Sequence, residues 1–231
     1  YKETGKWSLQ RLEKYRDNKK NNDKPKYVGT LGDEGNDNKK LRTLQSCLRI
    51  TYTSPKTMHW ITVILSNLLE NEATDIISVL ENYCKKKVVD SDYQNRKGFG
   101  FERIVFCYLD YLIYRDGYSY DGKEIISSMQ EDWQFQFRSS VEHFYPQHPV
   151  EGEQWEEDDL NGFGNLALIT ISGNSKFSNL PPVGKINSYP SVIKQSLKLK
   201  IMEKMTKLGD GKWTEAKSSI HKDEMFSILN N

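Results

Sequence analysis

Between Leu41 and Tyr114 apolar residues recur at intervals of three and four: Leu41, Leu44 and Leu48, then Ile61, Ile64, Leu65, Leu68 and Leu69, then Ile76, Ile77, Leu80 and Tyr83. That period puts them on one face of successive amphipathic helices. The segment "FERIVFCYLDYLIY" (101–114) is apolar on nearly every side, which suits a helix buried centrally in a small bundle. The first forty residues lack such a period. "RDNKKNNDKPK" and "LGDEGNDNKK" carry Asn, Asp, Gly and charge in the proportions of loops, and any helix in "WSLQRLEKYR" would be short.

Past Tyr114 the texture changes. "YRDGYSYDGKE" holds two Gly-containing turns and marks the best boundary, dividing the chain into a helical part (1–130, with its polar leader) and a second part (131–231). "WQFQF" (133–137) alternates aromatic and polar residues with the period of a strand, and "SSVEHF" can pair with it or with a later strand. "NLALITIS" (165–172) is the strongest strand signal, with a short helix expected to begin near Asn174. "PSVIKQSLKLKIMEKMTKL" and "WTEAKSSIHKDEMFSIL" read as two closing helices with Ser191 and Thr214 as N-caps. The expected class is therefore α+β.

Composition narrows the options. The 231 residues suffice for a substantial core, and the start at Tyr1 reads as a piece of a longer chain. No apolar run approaches the roughly 18–20 residues needed to cross a bilayer, and "YKETGKW" lacks the apolar middle of a signal peptide. Cys47, Cys84 and Cys107 are odd in number, far apart and set within apolar patterns, so they read as core residues in a reducing compartment. The net charge of +1 argues against a uniformly basic nucleic-acid coat. Its distribution is uneven: nine lysines from Lys176 to Lys217 face only Glu203, Asp210 and Glu215, a local +6, whereas "EGEQWEEDD" (151–159) holds six acids. The basic stretch is either a phosphate-attracting face or a solvated lysine-rich helix.

Candidate chemistry centres on "SVEHFYPQHP" (140–149), which sets Glu142 against His143 just before Pro146. Taken alone, such a pair is usually a polar turn. Here it is followed by "GNLALI" and "GNSKFSN", with Asn165 placed 22 residues after His143 and Asn174 nine after Asn165. Strand, strand and helix in that order resemble the HNH, or ββα-metal, nuclease motif. More closely, "VEHFYPQ", Trp155, "GNLALI", "NSKFSNLPPVGK" and "WTEAKSSI" look like the C-terminal HNH domain of Gmr-type, modification-dependent restriction enzymes, over about residues 138–221.

The resemblance implies that His143 activates water, that Glu142 and Asn174 supply oxygen ligands to Mg²⁺ or Mn²⁺, and that Asn165 clamps the loop bearing the base. These roles suit the residue types. A neutral imidazole accepts a proton at working pH, and a Mg²⁺-class ion favours oxygen ligands and keeps several waters. Adjacent strand residues point to opposite faces, so bringing Glu142 and His143 to one ion requires a distortion of the strand. Lys176, Lys185 and Asn179 are candidate substrate contacts. Two features depart from the commonest HNH pattern: Glu142 stands for Asp, and Asn174 for the final His, which disfavours a zinc-like site.

Plainer roles stand beside these. Asn165 and Asn174 can cap a turn or a helix, Trp133, Phe135 and Phe137 can be core, His148 is a loop residue, and His221 reads as surface helix. The expectation is a DNA endonuclease of a bacterial, cytoplasmic restriction system, acting with an upstream nucleotide-handling domain; a homodimer would suit double-strand cleavage. A non-catalytic nucleic-acid-binding module and an RNase of a defence system remain as alternatives.

Overall fold

The computed structural model describes residues 36–150, 152–208 and 210–231, together with the strands β1 (Lys2–Glu3), β2 (Lys6–Trp7), β3 (Gln10–Asp17) and β4 (Asn22–Gly29). Strands β3 and β4 form a regular antiparallel hairpin from Gln10↔Gly29 to Asp17↔Asn22. This corrects the loop reading of the polar N-terminal stretch. Backbone pairing does not require apolar alternation, and Leu12 is exposed even within β3. Residues 31–35 of the second polar segment lie outside the described residues, and its last four already belong to a helix.

Four helices carry the first apolar pattern: α1 (Asp37–Thr51), α2 (His59–Glu70), α3 (Ile76–Asp90) and α4 (Arg103–Asp116). Asp75 caps α3, its carboxylate accepting from the amides of Ile77 and Ser78. Helix α4 is buried from Ile104 through Tyr114, as its continuous apolarity predicts, and packs against α1 and α3. The three cysteines are buried and free. The Gly-rich stretch after α4 is a hairpin, β5 (Tyr118–Tyr120) and β6 (Lys123–Ile126).

"WQFQF" is not a strand. Trp133 instead packs on Tyr114 and Phe135, with ring centroids 5.7 and 4.7 Å apart, while Phe137 is exposed, so no single sheet face is formed. Strand β7 (Ser140–His143) pairs with β8 (Leu166–Ile169), with the short helix α5 (Glu157–Leu160) in the connection. Four helices follow β8 before the last: α6 (Ile171–Phe177), α7 (Pro182–Ser188), α8 (Pro190–Ile193) and α9 (Leu197–Lys207). The chain closes with α10 (Glu215–Asn230).

Two helix boundaries differ from expectation and a third agrees with it. Helix α6 starts at Ile171, capped by Thr170, whose hydroxyl accepts from the Gly173 amide, so Asn174 lies inside the helix. Ser196 rather than Ser191 caps α9, because Ser191 sits within the separate α8. Thr214 caps α10 as read.

The buried apolar side chains form one cluster running from Leu41 to Leu229. Helix α4 also packs against α9, α10 and β8. A buried ion pair fastens this junction: Arg138 Nη1 lies 2.6 Å from Asp110 Oδ2, and both side chains are fully buried. Asp110 Oδ1 accepts from the Lys198 amide at the start of α9 and from the Ser196 hydroxyl. Asp110 thus links α4 to the hairpin side and to α9 at once.

Candidate active site

The β7–β8 ladder runs in unbroken register, from Ser140↔Ile169 to His143↔Leu166, and continues with the Phe144 amide on the Asn165 carbonyl. The distortion required to bring Glu142 and His143 together is not observed through His143. Strand alternation sends the two side chains to different partners.

Asn165 stands at the root of β8 and is fully buried. Its Oδ1 accepts from the Tyr145 amide at 2.7 Å and from the Trp213 indole at 3.2 Å, and its Nδ2 donates to the carbonyls of Tyr145 and Leu160 at 3.1 and 3.0 Å. One side chain therefore ties the chain just after His143, the end of α5 and the segment leading into α10. Next to it, the buried Lys198 ammonium donates to the carbonyls of Phe163 and Leu166 and lies over the Phe163 ring. Burial drives its pKa well below the ordinary lysine value.

Glu142 is buried, and its Oε1 accepts from Lys185 Nζ at 2.7 Å. The same ammonium donates to the His143 carbonyl at 2.5 Å and lies over the Phe177 ring. Lys185 is 0% exposed, so it is not a surface phosphate contact; its charge is spent on β7. Burial pushes the Glu142 carboxyl up and the Lys185 ammonium down from their ordinary values, each opposed by the charge of the other.

His143 is 5% exposed. Its Nε2 is 2.9 Å from Asn161 Oδ1, and its ring meets the Phe99 ring edge to face at 5.9 Å. Phe99 itself is 70% exposed and lies on the Gly98–Gly100 turn ahead of α4. Burial is the main effect lowering the imidazole pKa, the Lys185 charge adding to it and the Asn161 contact opposing it. A lowered pKa keeps the ring neutral near pH 7, the form a general base needs. Asn161 and Phe99 were not singled out in the sequence. Nothing local in the sequence signals a contact across 18 residues.

The remaining candidates are dispersed. Asn174 Nδ2 donates to Ser140 Oγ at 2.8 Å, tying α6 to the start of β7. Lys176 and Asn179 are exposed, and so is His148. His221 is not on the surface: it is fully buried in α10, edge to face with Trp213, with neither ring nitrogen hydrogen-bonded. Since Lys185 and Lys198 are also interior, the basic stretch presents fewer charges to solvent than its sequence suggests. The acidic stretch is part helix, α5, with Trp155 stacked on Tyr145 at 4.3 Å.

Among the described residues no three His, Cys, Asp or Glu side chains gather into a metal-holding group. The donors present are oxygens. Glu142 Oε2 and Asn174 Oδ1 have no hydrogen-bond partner among the described residues, because Lys185 takes Oε1 and Ser140 takes the amide nitrogen. Ser140 and Glu142, two apart on a regular strand, share one face. An oxygen-only pair completed by water fits a Mg²⁺-class ion and not zinc. A mixed-charge cleft of about 510 Å³, lined by Asp37, Asp75, Glu81 and Arg115 among others, shares no residue with this site.

Residues 88–228 match the family model described as GmrSD restriction endonucleases, C-terminal domain. Those 141 of 231 residues are more than half of the chain, and the chain belongs to this family. The matched stretch opens within α3 and takes in α4 and the Phe99 turn as well as the hairpin and closing helices. No curated protein and no solved structure gives a match. No described helix is long and apolar enough to cross a membrane.

Proposed function

We propose that this domain is a metal-dependent endonuclease that hydrolyses DNA phosphodiesters, with His143 as general base. The observation that supports this reading most is the placement of His143: a buried imidazole at the end of β7, next to the Asn165 clamp, within a restriction-endonuclease domain. His143 takes a proton from water, the water oxygen bonds to phosphorus as the P–O3′ bond breaks, and the departing 3′ oxygen takes a proton from solvent water, giving a 5′-phosphate and a 3′-hydroxyl. A Mg²⁺ or Mn²⁺ ion, when bound, supplies charge stabilisation to the phosphoryl and leaving oxygens. Glu142 and Asn174 are the residues that would hold it, and because β7 is regular through His143, ion and base would serve one phosphodiester only with a local distortion of β7 on substrate binding.

Asn165 does no chemistry in this reading; it fixes the backbone at Tyr145, just after the base. Lys176 and Asn179, exposed at the end of α6, are the substrate contacts retained. Restriction of foreign, base-modified DNA in a bacterial cytoplasm, with an upstream nucleotide-handling domain and a homodimer for double-strand cuts, completes the proposal.

The test is digestion of supercoiled plasmid, base-modified DNA and labelled RNA by the wild type and His143→Ala, with Mg²⁺, Mn²⁺ or EDTA. Metal-dependent cutting of DNA, lost in the variant and in EDTA, is the expected result. Cutting of RNA alone would replace the DNA reading with an RNase. Binding without cutting, unchanged in His143→Ala, would leave a nucleic-acid-binding module.

A further inference from the structure

The contact between His143 and Asn161 fixes more than a position. An amide oxygen has no hydrogen to donate, so the 2.9 Å approach of Asn161 Oδ1 to His143 Nε2 requires the proton to be on Nε2. In a neutral imidazole the lone pair then lies on Nδ1. Nδ1 has no hydrogen-bond partner among the described residues, and, unlike both nitrogens of His221, it is not sealed from solvent.

The Asn161 main chain is itself held on both sides. Its main-chain N–H donates to the Glu157 carbonyl at 2.9 Å, and its carbonyl accepts from the Gly98 amide at 2.8 Å. Lys97, one residue earlier, pairs with Asp158 at 2.6 Å, a second tie between the two segments. Gly98 has φ +54°, and a Cβ there would lie 3.2 Å from Asn161 Oδ1, so glycine is what lets this turn approach the amide. Phe99, the next residue, closes against the imidazole edge.

We propose that Asn161, braced by the Lys97–Phe99 turn, is a positioning residue that holds His143 as the Nε2–H tautomer and so makes Nδ1 the proton-accepting nitrogen. This rests on His143 as the base, and it adds that the turn ahead of α4 is a working part of the nuclease site. Asn161 touches neither substrate nor reacting atoms; it acts through the ring.

The test uses the full chain, ¹⁵N-labelled, with the ring-nitrogen signals of His143 recorded while the ring is neutral, beside single-turnover cleavage of a DNA duplex. The wild type should give the Nε2–H pattern. Asn161→Ala should give a tautomer mixture and cut at least about tenfold more slowly, with DNA affinity unchanged. Asn161→Asp, which keeps an acceptor oxygen in place, should restore the single tautomer. An Nδ1–H pattern in the wild type, or unchanged ring signals and rate in Asn161→Ala, overturns the proposal. His143→Ala is measured in parallel: cleavage at the wild-type rate would defeat the base assignment itself, and with it any positioning role, whatever the ring signals show.

Discussion

Lys185 places one ammonium on both members of the Glu142–His143 pair, on the carboxylate of the first at 2.7 Å and on the carbonyl of the second. Helix α7 is thereby pinned to β7 at the Glu142–His143 pair. Removing either charge leaves the other buried and unpaired, which typically costs about 3–5 kcal/mol. Lys185→Met and Glu142→Gln should each lose stability on that scale in urea unfolding. The double variant should lose clearly less than the sum. Additive losses would show that the pair is not coupled.

Asn165 uses its amide as donor and acceptor together, on Tyr145, Leu160 and Trp213. Asn165→Ala leaves those buried groups unsatisfied, at about 1–3 kcal/mol for each one that finds no new partner. Asn165→Asp should also destabilise, because a carboxylate cannot donate to the Tyr145 and Leu160 carbonyls. Thermal unfolding gives the loss, and Trp213 fluorescence reports the freed indole. A stable Asp variant with unaltered fluorescence would contradict the clamp.

Gly164, just before it, has no room for a side chain. A Cβ there would lie 1.9 Å from the Ser218 carbonyl oxygen in α10, a backbone atom that can yield only if the helix moves. Gly164→Ala should lower stability by more than about 2 kcal/mol, read as a drop in Tm. An unchanged Tm would mean that α10 does not sit this closely on the hairpin.

His221 makes stability depend on pH. Its ring is buried against Trp213 with neither nitrogen hydrogen-bonded, and burial, aided by the nearby Lys198 charge, holds its pKa well below 6.5. In the window between that folded value and about 6.5 the unfolded chain binds the extra proton, so stability rises with pH up to about 6.5 and falls on acidification. The slope from this one group reaches at most about 1.4 kcal/mol per pH unit. Urea unfolding at pH 7.5 and 5.0 should show a smaller acid loss for His221→Leu than for the wild type. Equal losses would assign the acid sensitivity to other groups.

Much of the scaffold was legible because it rests on local pattern. The continuous apolarity of 101–114 gave the buried helix α4, the longer stretches "SSVEHF" and "NLALITIS" contain the hairpin strands, and Thr214 marked the start of α10. The failures share a different cause. Lys185 and His221 read as surface residues because charge and polarity normally lie outside, and only tertiary partners reveal their burial. "WQFQF" has strand period without a neighbouring strand, since β7 takes β8 instead. Thr170 ends β8 and caps α6, a switch that the run of apolar residues in "NLALITIS" conceals. Asn161 and Phe99 meet His143 from segments 18 and 44 residues away, a closeness that no spacing in the sequence encodes.

The central claim, that His143 is the base of a nuclease, is tested most directly by the single-turnover rate of DNA cleavage by His143→Ala relative to the wild type. Both proteins are first shown to share the same circular dichroism and the same DNA affinity. A fall of about 10²–10⁴-fold with substrate binding retained is expected. A variant that cuts within a few-fold of the wild type would contradict it and move the chemistry away from the end of β7.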